Sequence, residues 1–127
     1  MEEELQKVSA ECERHYHSGQ WEKAEADYTE LLGKYREGKN DKVLALIYNN
    51  RGHARYMQVE FYTAKDDYDE ALQLDPKLAS AHYNRATILY RMGRYAEALP
   101  GFQKSVTIEP KNGEFQEGLN QCHLCIQ

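Results

Sequence analysis

The sequence predicts an all-α protein: a right-handed α-solenoid of three tandem helix-turn-helix repeats closed by a C-terminal capping helix. Three observations predict it. Tyr48-Asn49-Asn50-Arg51-Gly52 returns as His82-Tyr83-Asn84-Arg85-Ala86, and Phe61, Ala64, Tyr68, Ala71 and Pro76 return as Tyr95, Ala98, Phe102, Ser105 and Pro110, every pair 34 residues apart. A period of that length belongs to two-helix units that cannot bury their apolar faces alone and so stack on neighbours. Within each copy the apolar residues recur at three- and four-residue spacing, which puts them on one side of a helix.

The first copy, about residues 5–41, is the most degenerate. Leu5, Val8, Cys12 and His15 mark a helix over residues 5–18 that ends at Ser18-Gly19. Trp21, Ala24, Tyr28, Leu31 and Leu32 then repeat the pattern of Phe61, Ala64, Tyr68, Ala71 and Leu72. Trp21 stands 40 residues before Phe61, so the join carries six extra, placed near 33–42, where Gly33, Gly38, Asn40 and Asp41 break the periodicity. A longer helix end and a basic surface loop are expected there; a loop accepts added length at little cost.

The second copy, about residues 42–76, predicts helices from about Lys42 to Gln58 and from about Tyr62 to Leu74. Gly52 and Ala64 are where two backbones can approach, with Phe61 and Tyr68 filling the space on either side. Asp75-Pro76 ends the unit, because proline lacks the N–H that would continue the ladder and restricts the residue before it. The third copy, about residues 77–110, repeats this with Ala86, Gly93 at the turn, Ala98, Phe102 and Glu109-Pro110. In the last segment, about 113–126, Phe115, Leu119, Cys122 and Ile126 form one stripe opposite Glu114, Gln116, Glu117 and Gln121, the pattern of a cap that covers the final repeat. Gly118 in its middle costs about 1 kcal/mol against alanine, so a fraying cap is expected.

Composition narrows the function classes. The 127 residues suit one domain, and a net charge of -5, from 21 acidic against 16 basic residues, argues against nucleic acid as partner. Cys12, Cys122 and Cys125 are odd in number and without disulfide-like spacing, which points to an intracellular, cytoplasmic setting. Met1-Glu2-Glu3-Glu4 has the wrong charge for a secretory or transit segment, and the longest apolar run, Val43–Tyr48, is far short of the ~20 residues that cross a bilayer. In Leu124-Cys125-Ile126-Gln127 the cysteine is third from the end, where prenylation needs it fourth. No membrane insertion is expected, and a monomer is.

The small-residue, aromatic and proline pattern at this spacing resembles the tetratricopeptide repeat family over nearly the whole chain, with Cys12 replacing the small residue of the later copies and no proline closing the first. The resemblance implies that the first helices of successive repeats line a concave groove for a peptide or partner helix. It places there Ser9, Glu13, Tyr16 and His17 from the first copy, Asn49, Asn50, His53, Tyr56 and Met57 from the second, and Tyr83, Thr87, Tyr90 and Arg91 from the third. Tyr16, Tyr56 and Tyr90 occupy one equivalent position. They read either as a ladder contacting ligand or as lining of the seam between helices.

Some members of the family grip the C-terminal carboxylates of heat-shock proteins with lysine, asparagine and arginine. The matching positions here are Ser9, Glu13, Asn50, Ser80 and Asn84, of which Asn50 alone keeps the type, and Glu13 adds repulsion. On that count a heat-shock tail is not expected, and the partner is a protein or peptide of another kind.

Chemistry is hard to find. Cys122-His123-Leu124-Cys125 has the spacing of half a zinc site without a second half, so no metal is expected. His15, His17, His53, His82 and His123 fall on helices and none reads as the base of a nucleophile, and Gly33-Lys34-Tyr35 lacks the upstream glycine and the hydroxyl of a phosphate loop. The sequence reads as a non-enzymatic adaptor or scaffold without cofactor. The alternative is a structural subunit that uses its convex face or cap. Arg51 and Arg85 recur at one position, read as stems packed on the helices with their charge at the rim.

Overall fold

The computed structural model describes residues 14–35 and 40–126. Regular structure there is helical throughout: α1, helical over its described residues 14–17; α2, Trp21–Tyr35; α3, Asp41–Met57; α4, Phe61–Leu74; α5, Ala79–Arg91; α6, Tyr95–Ile108; and α7, Gly113–Ile126. Most of the first expected helix, with Ser9, Cys12 and Glu13, lies outside the described residues, as do loop residues 36–39. Helices pack in chain order, α2 on α3, α3 on α4, and so on to α7 on α6, as in a solenoid.

Local chemistry sets the helix ends. Asn40 begins α3 by accepting a hydrogen bond from Val43 N on its side-chain oxygen at 3.2 Å, which satisfies one of the free donors of the first turn. Asn112 does the same for α7, accepting from Phe115 N at 3.1 Å. After α4 the Asp75 carboxylate accepts from Lys77 N at 3.1 Å and turns the chain at Pro76. Pro100 lies within α6, where the hydrogen bond it forgoes belongs to the exposed side of the helix around Ala96.

Small residues bring the helices together, and large ones fill what remains. Tyr28 and Leu31 of α2 are buried with Ala45, Ile47 and Tyr48 of α3; Tyr68 of α4 is buried with Ala64 and Ile88; Phe102 of α6 is buried with Ala86, Leu89, Ala98 and Cys122. Each large apolar side chain so buried stabilises the fold by about 2 kcal/mol before entropy is charged. Gly52 lets α3 and α4 approach closely, since a Cβ there would stand 2.7 Å from Tyr68 Cε1 and 3.2 Å from the Ala64 carbonyl oxygen.

Gly118, where the sequence suggests fraying, has a packing role. A Cβ at that position would lie 2.8 Å from Tyr83 Cε1 and 2.9 Å from Phe102 Cε1. The missing side chain is what lets α7 close onto the last helix pair, with Phe115 and Cys122 buried beneath it. Cys122 is buried and its thiol donates to the Tyr95 carbonyl oxygen at 3.4 Å, whereas Cys125 is exposed, as Leu124 and Ile126 are beside it at the end of α7.

Candidate functional site

The three equivalent tyrosines each meet an aromatic residue five positions on, at the start of the following helix. Ring centroids are 5.3 Å apart for Tyr16 and Trp21, 5.5 Å for Tyr56 and Phe61, and 5.3 Å for Tyr90 and Tyr95. One side of each ring is therefore committed to closing its helix pair. All three remain half-buried. His53 joins the first two pairs, 5.4 Å from Tyr16, 5.5 Å from Trp21 and 6.1 Å from Tyr56. Tyr83 continues the aromatic lining to the cap, 4.9 Å from Phe115 and 5.6 Å from Phe102.

The two groove asparagines separate. Asn49 is buried; its Nδ2 donates to Ser80 Oγ at 3.2 Å and its Oδ1 accepts from Asn84 Nδ2 at 3.1 Å. Its amide bridges α3 and α5. Asn50 is half-buried, and its side chain has no partner among the described residues. Met57 is 45% exposed, Arg91 and His17 are exposed, and the Thr87 hydroxyl donates to the Tyr83 carbonyl oxygen at 2.8 Å. Ser9 and Glu13 lie outside the described residues.

Electrostatics tie the groove to the cap. Burial raises the phenol pKa of Tyr16 and of Tyr83, and in each the Glu114 carboxylate of α7 raises it further, while a hydrogen bond to Thr87 pulls Tyr83 the other way. Burial lowers the His53 pKa against an opposing pull from the same carboxylate. Side chains on α1, α3 and α5 thus sense one charge on α7. Tyr90 is held up in pKa first by its hydrogen bond with the Cys125 thiol, 3.5 Å away.

A second polar network lies behind the groove. Asp67, buried in α4, accepts from Arg51 Nε at 3.0 Å, Arg51 Nη2 at 2.7 Å and Arg55 Nη1 at 3.1 Å. Arg55 Nε and Gln58 Nε2 donate to the two oxygens of Glu25 in α2, both at 2.9 Å. Burial pushes the Glu25 carboxyl up, but the hydrogen bonds from Arg55 and Gln58 and the charges of Arg55 and Arg51 hold it below the usual carboxylate range. Arg51 is an internal staple and not a rim charge. Arg85 reaches back to Asp69 at 2.5 Å. Asp67 escaped the sequence reading because one acid among 21 carries no mark of burial.

Among the described residues no group of three metal-ligating side chains forms, and no helix is long and apolar enough to cross a membrane.

The family described as tetratricopeptide repeat matches residues 79–112, and the TPR repeat description matches residues 63–93. The chain belongs to the tetratricopeptide repeat family. Among curated relatives, protein unc-45 homolog B of Mus musculus is 27% identical over 126 residues, 99% of this chain but 13% of that protein. The chain thus spans about one-eighth of the length of that relative.

Two solved tetratricopeptide domains are similar throughout. The Arabidopsis OM64 TPR domain is 28% identical with a TM-score of 0.82, covering 94% of each chain. The first TPR of Spaghetti (RPAP3), solved with the HSP90 peptide SRMEEVD, is 17% identical with a TM-score of 0.84, covering 96% of this chain and 94% of that one. The sequence-based exclusion of a heat-shock tail is not confirmed, since this second domain, alike in fold, was solved with such a peptide.

Proposed function

We propose that this tetratricopeptide protein is an interaction module, an adaptor or scaffold, that holds a peptide segment or helix of a partner protein in the face shared by α1, α3, α5 and α7. The observation that supports it is the run of ring contacts that joins Tyr16, His53 and Tyr56 across α1 and α3 and continues from Tyr83 of α5 to Phe115 of α7. Beside it, Asn50 offers an uncommitted amide, Met57 an adaptable apolar surface, and the half-buried Tyr16, Tyr56 and Tyr90 a run of amphipathic area. Such a surface binds by shape and hydrogen bonding, and catalysis is not part of the reading.

The test uses peptides enriched from a displayed random library, together with Ser-Arg-Met-Glu-Glu-Val-Asp, the tail bound by the Spaghetti domain. Anisotropy titrations on the full chain are expected to weaken by about 10-fold or more in Met57→Glu and Asn50→Ala. Tyr56 and Tyr90 are unsuitable probes, since each closes a helix pair.

A second reading is favoured by one observation. Leu124 is 64% and Ile126 44% exposed at the end of α7, while Phe115 beneath the cap is buried. If Leu124→Glu abolishes association and the groove variants bind like the parent, the protein is a subunit that assembles through its cap.

A further inference from the structure

At its C-terminal end the groove deepens into a pocket of about 210 Å³ between α5 and α7. Phe102, buried at 2% exposure, is among its lining residues; Tyr83, Thr87 and Tyr90 line the α5 side, and Glu117, Gly118 and Gln121 line the α7 side. The Thr87 hydroxyl donates to the Tyr83 carbonyl oxygen, which leaves the rings of Tyr83, Tyr90 and Phe102 as the apolar part of the lining.

Charge at the mouth is divided by side. Arg91, on α5, is exposed, and its guanidinium has no hydrogen bond or ion pair among the described residues. Across from it Glu117 accepts from Gln121 Nε2 at 2.9 Å, and Glu114 stands one turn earlier on the same helix. A carboxylate brought to the α7 side meets like charge; on the α5 side it meets a free planar fork suited to bidentate pairing.

We propose that this pocket seats one large apolar side chain of the bound segment, with an acidic residue next to it paired to Arg91. The partner class is therefore a segment with an apolar anchor and an acidic neighbour on the α5 side. Arg91 lies seven residues beyond Asn84, about 10 Å along the helix. Asn84 itself is spent on Asn49. With Asn84 so engaged, Arg91 is the α5 group available to an anion, and α7 becomes one wall of the binding site instead of a cover. This inference rests on the groove reading above.

The probe is fluorescein-labelled Ser-Gly-Glu-Glu-Phe-Glu-Gly-Ser, compared with versions carrying Ala for Phe or Lys for every Glu, titrated onto the full chain. The parent is expected to bind the first at least about 10-fold more tightly than either control. Arg91→Glu is expected to abolish or invert the preference for Glu over Lys, and Gln121→Trp, which lays an indole over the mouth, to remove the preference for Phe over Ala. Both positions are exposed, and an unchanged thermal midpoint verifies folding. Equal binding of the Phe and Ala peptides, an unaffected Arg91→Glu variant, or no binding of the acidic Phe peptide each overturns the proposal. If library-derived peptides still lose affinity in Met57→Glu while the pocket fails in this way, the groove reading survives its loss.

Discussion

Val59 stands at φ 62° where Gly93, one repeat later, stands at φ 77°. Both occupy the left-handed turn between the helices of a pair, as Gly19 does at φ 75°. Glycine takes that conformation freely, whereas a β-branched side chain crowds its own carbonyl there at a cost of roughly 1–2 kcal/mol. Val59 is 72% exposed, so its side chain recovers little by burial. Val59→Gly is expected to raise stability by about 0.5–1 kcal/mol, the strain relieved less the entropy that glycine adds to the unfolded chain. Urea denaturation checks it; a lower midpoint would mean that the valine is held by a contact outweighing its strain.

Gly52 offers the opposite case, in which glycine serves close approach. The Cβ of alanine would meet the ring of Tyr68 at 2.7 Å, and that ring is 1% exposed with no room to turn aside. Gly52→Ala is expected to cost about 1–3 kcal/mol as α3 and α4 are pushed apart. The equivalent residue of the next repeat is Ala86, so a thermal midpoint unchanged in Gly52→Ala would show that the two helix pairs can adopt the same spacing.

These positions show which parts of the molecule are legible in sequence. Helix order, the small-residue contacts and the cap follow from residues that recur every 34 positions, because repetition reports packing that must recur. Side-chain pairing across the repeats is different. Arg51 and Arg85 are equivalent in sequence, yet Arg51 staples Asp67 within its own pair, while the position equivalent to Asp67 in the third copy is Gly101 and Arg85 turns back to Asp69. Asn49 and Asn50 are adjacent and identical in type, and only their directions, set by a 100° rotation between neighbours on a helix, decide that one bridges two helices and the other stays free. Repetition reports which helices stack; which of their polar groups are already engaged within the fold, as Asn49 is and Asn50 is not, depends on contacts between copies that differ in sequence.

Asp67 concentrates the internal electrostatics. It takes three hydrogen bonds from two arginines while almost wholly buried. Burial alone would lower the Arg51 pKa, but the hydrogen bond and charge of Asp67 raise it. Asp67→Ala leaves two part-buried guanidiniums facing each other and is expected to cost about 3 kcal/mol. Asp67→Asn, which keeps the volume and one acceptor, is expected to cost less. A double-mutant cycle with Arg51→Ala should give a coupling of about 1–2 kcal/mol; additivity would mean that the pair contributes packing alone.

His53 gives the fold a pH dependence whose sign can be worked out. Its pKa lies below the ordinary 6.5, because burial among Tyr16, Trp21 and Tyr56 disfavours the charged ring more than Glu114 favours it. As pH falls through 6.5, the unfolded chain takes up a proton that the folded chain still refuses. The stability contributed by the neutral ring is therefore full above that value, declines as pH drops below it, and stops declining once the folded ring is also protonated. Thermal midpoints measured from about pH 8 to about pH 5 should fall more steeply for the parent than for His53→Gln, which fills similar space without titrating. Glu25, held below the usual carboxylate range, acts in the same direction only at still lower pH, so its contribution separates from that of His53. Parallel curves for parent and variant in this window would mean that His53 takes up its proton as readily in the fold as out of it, and that the aromatic wall of the groove is open to water.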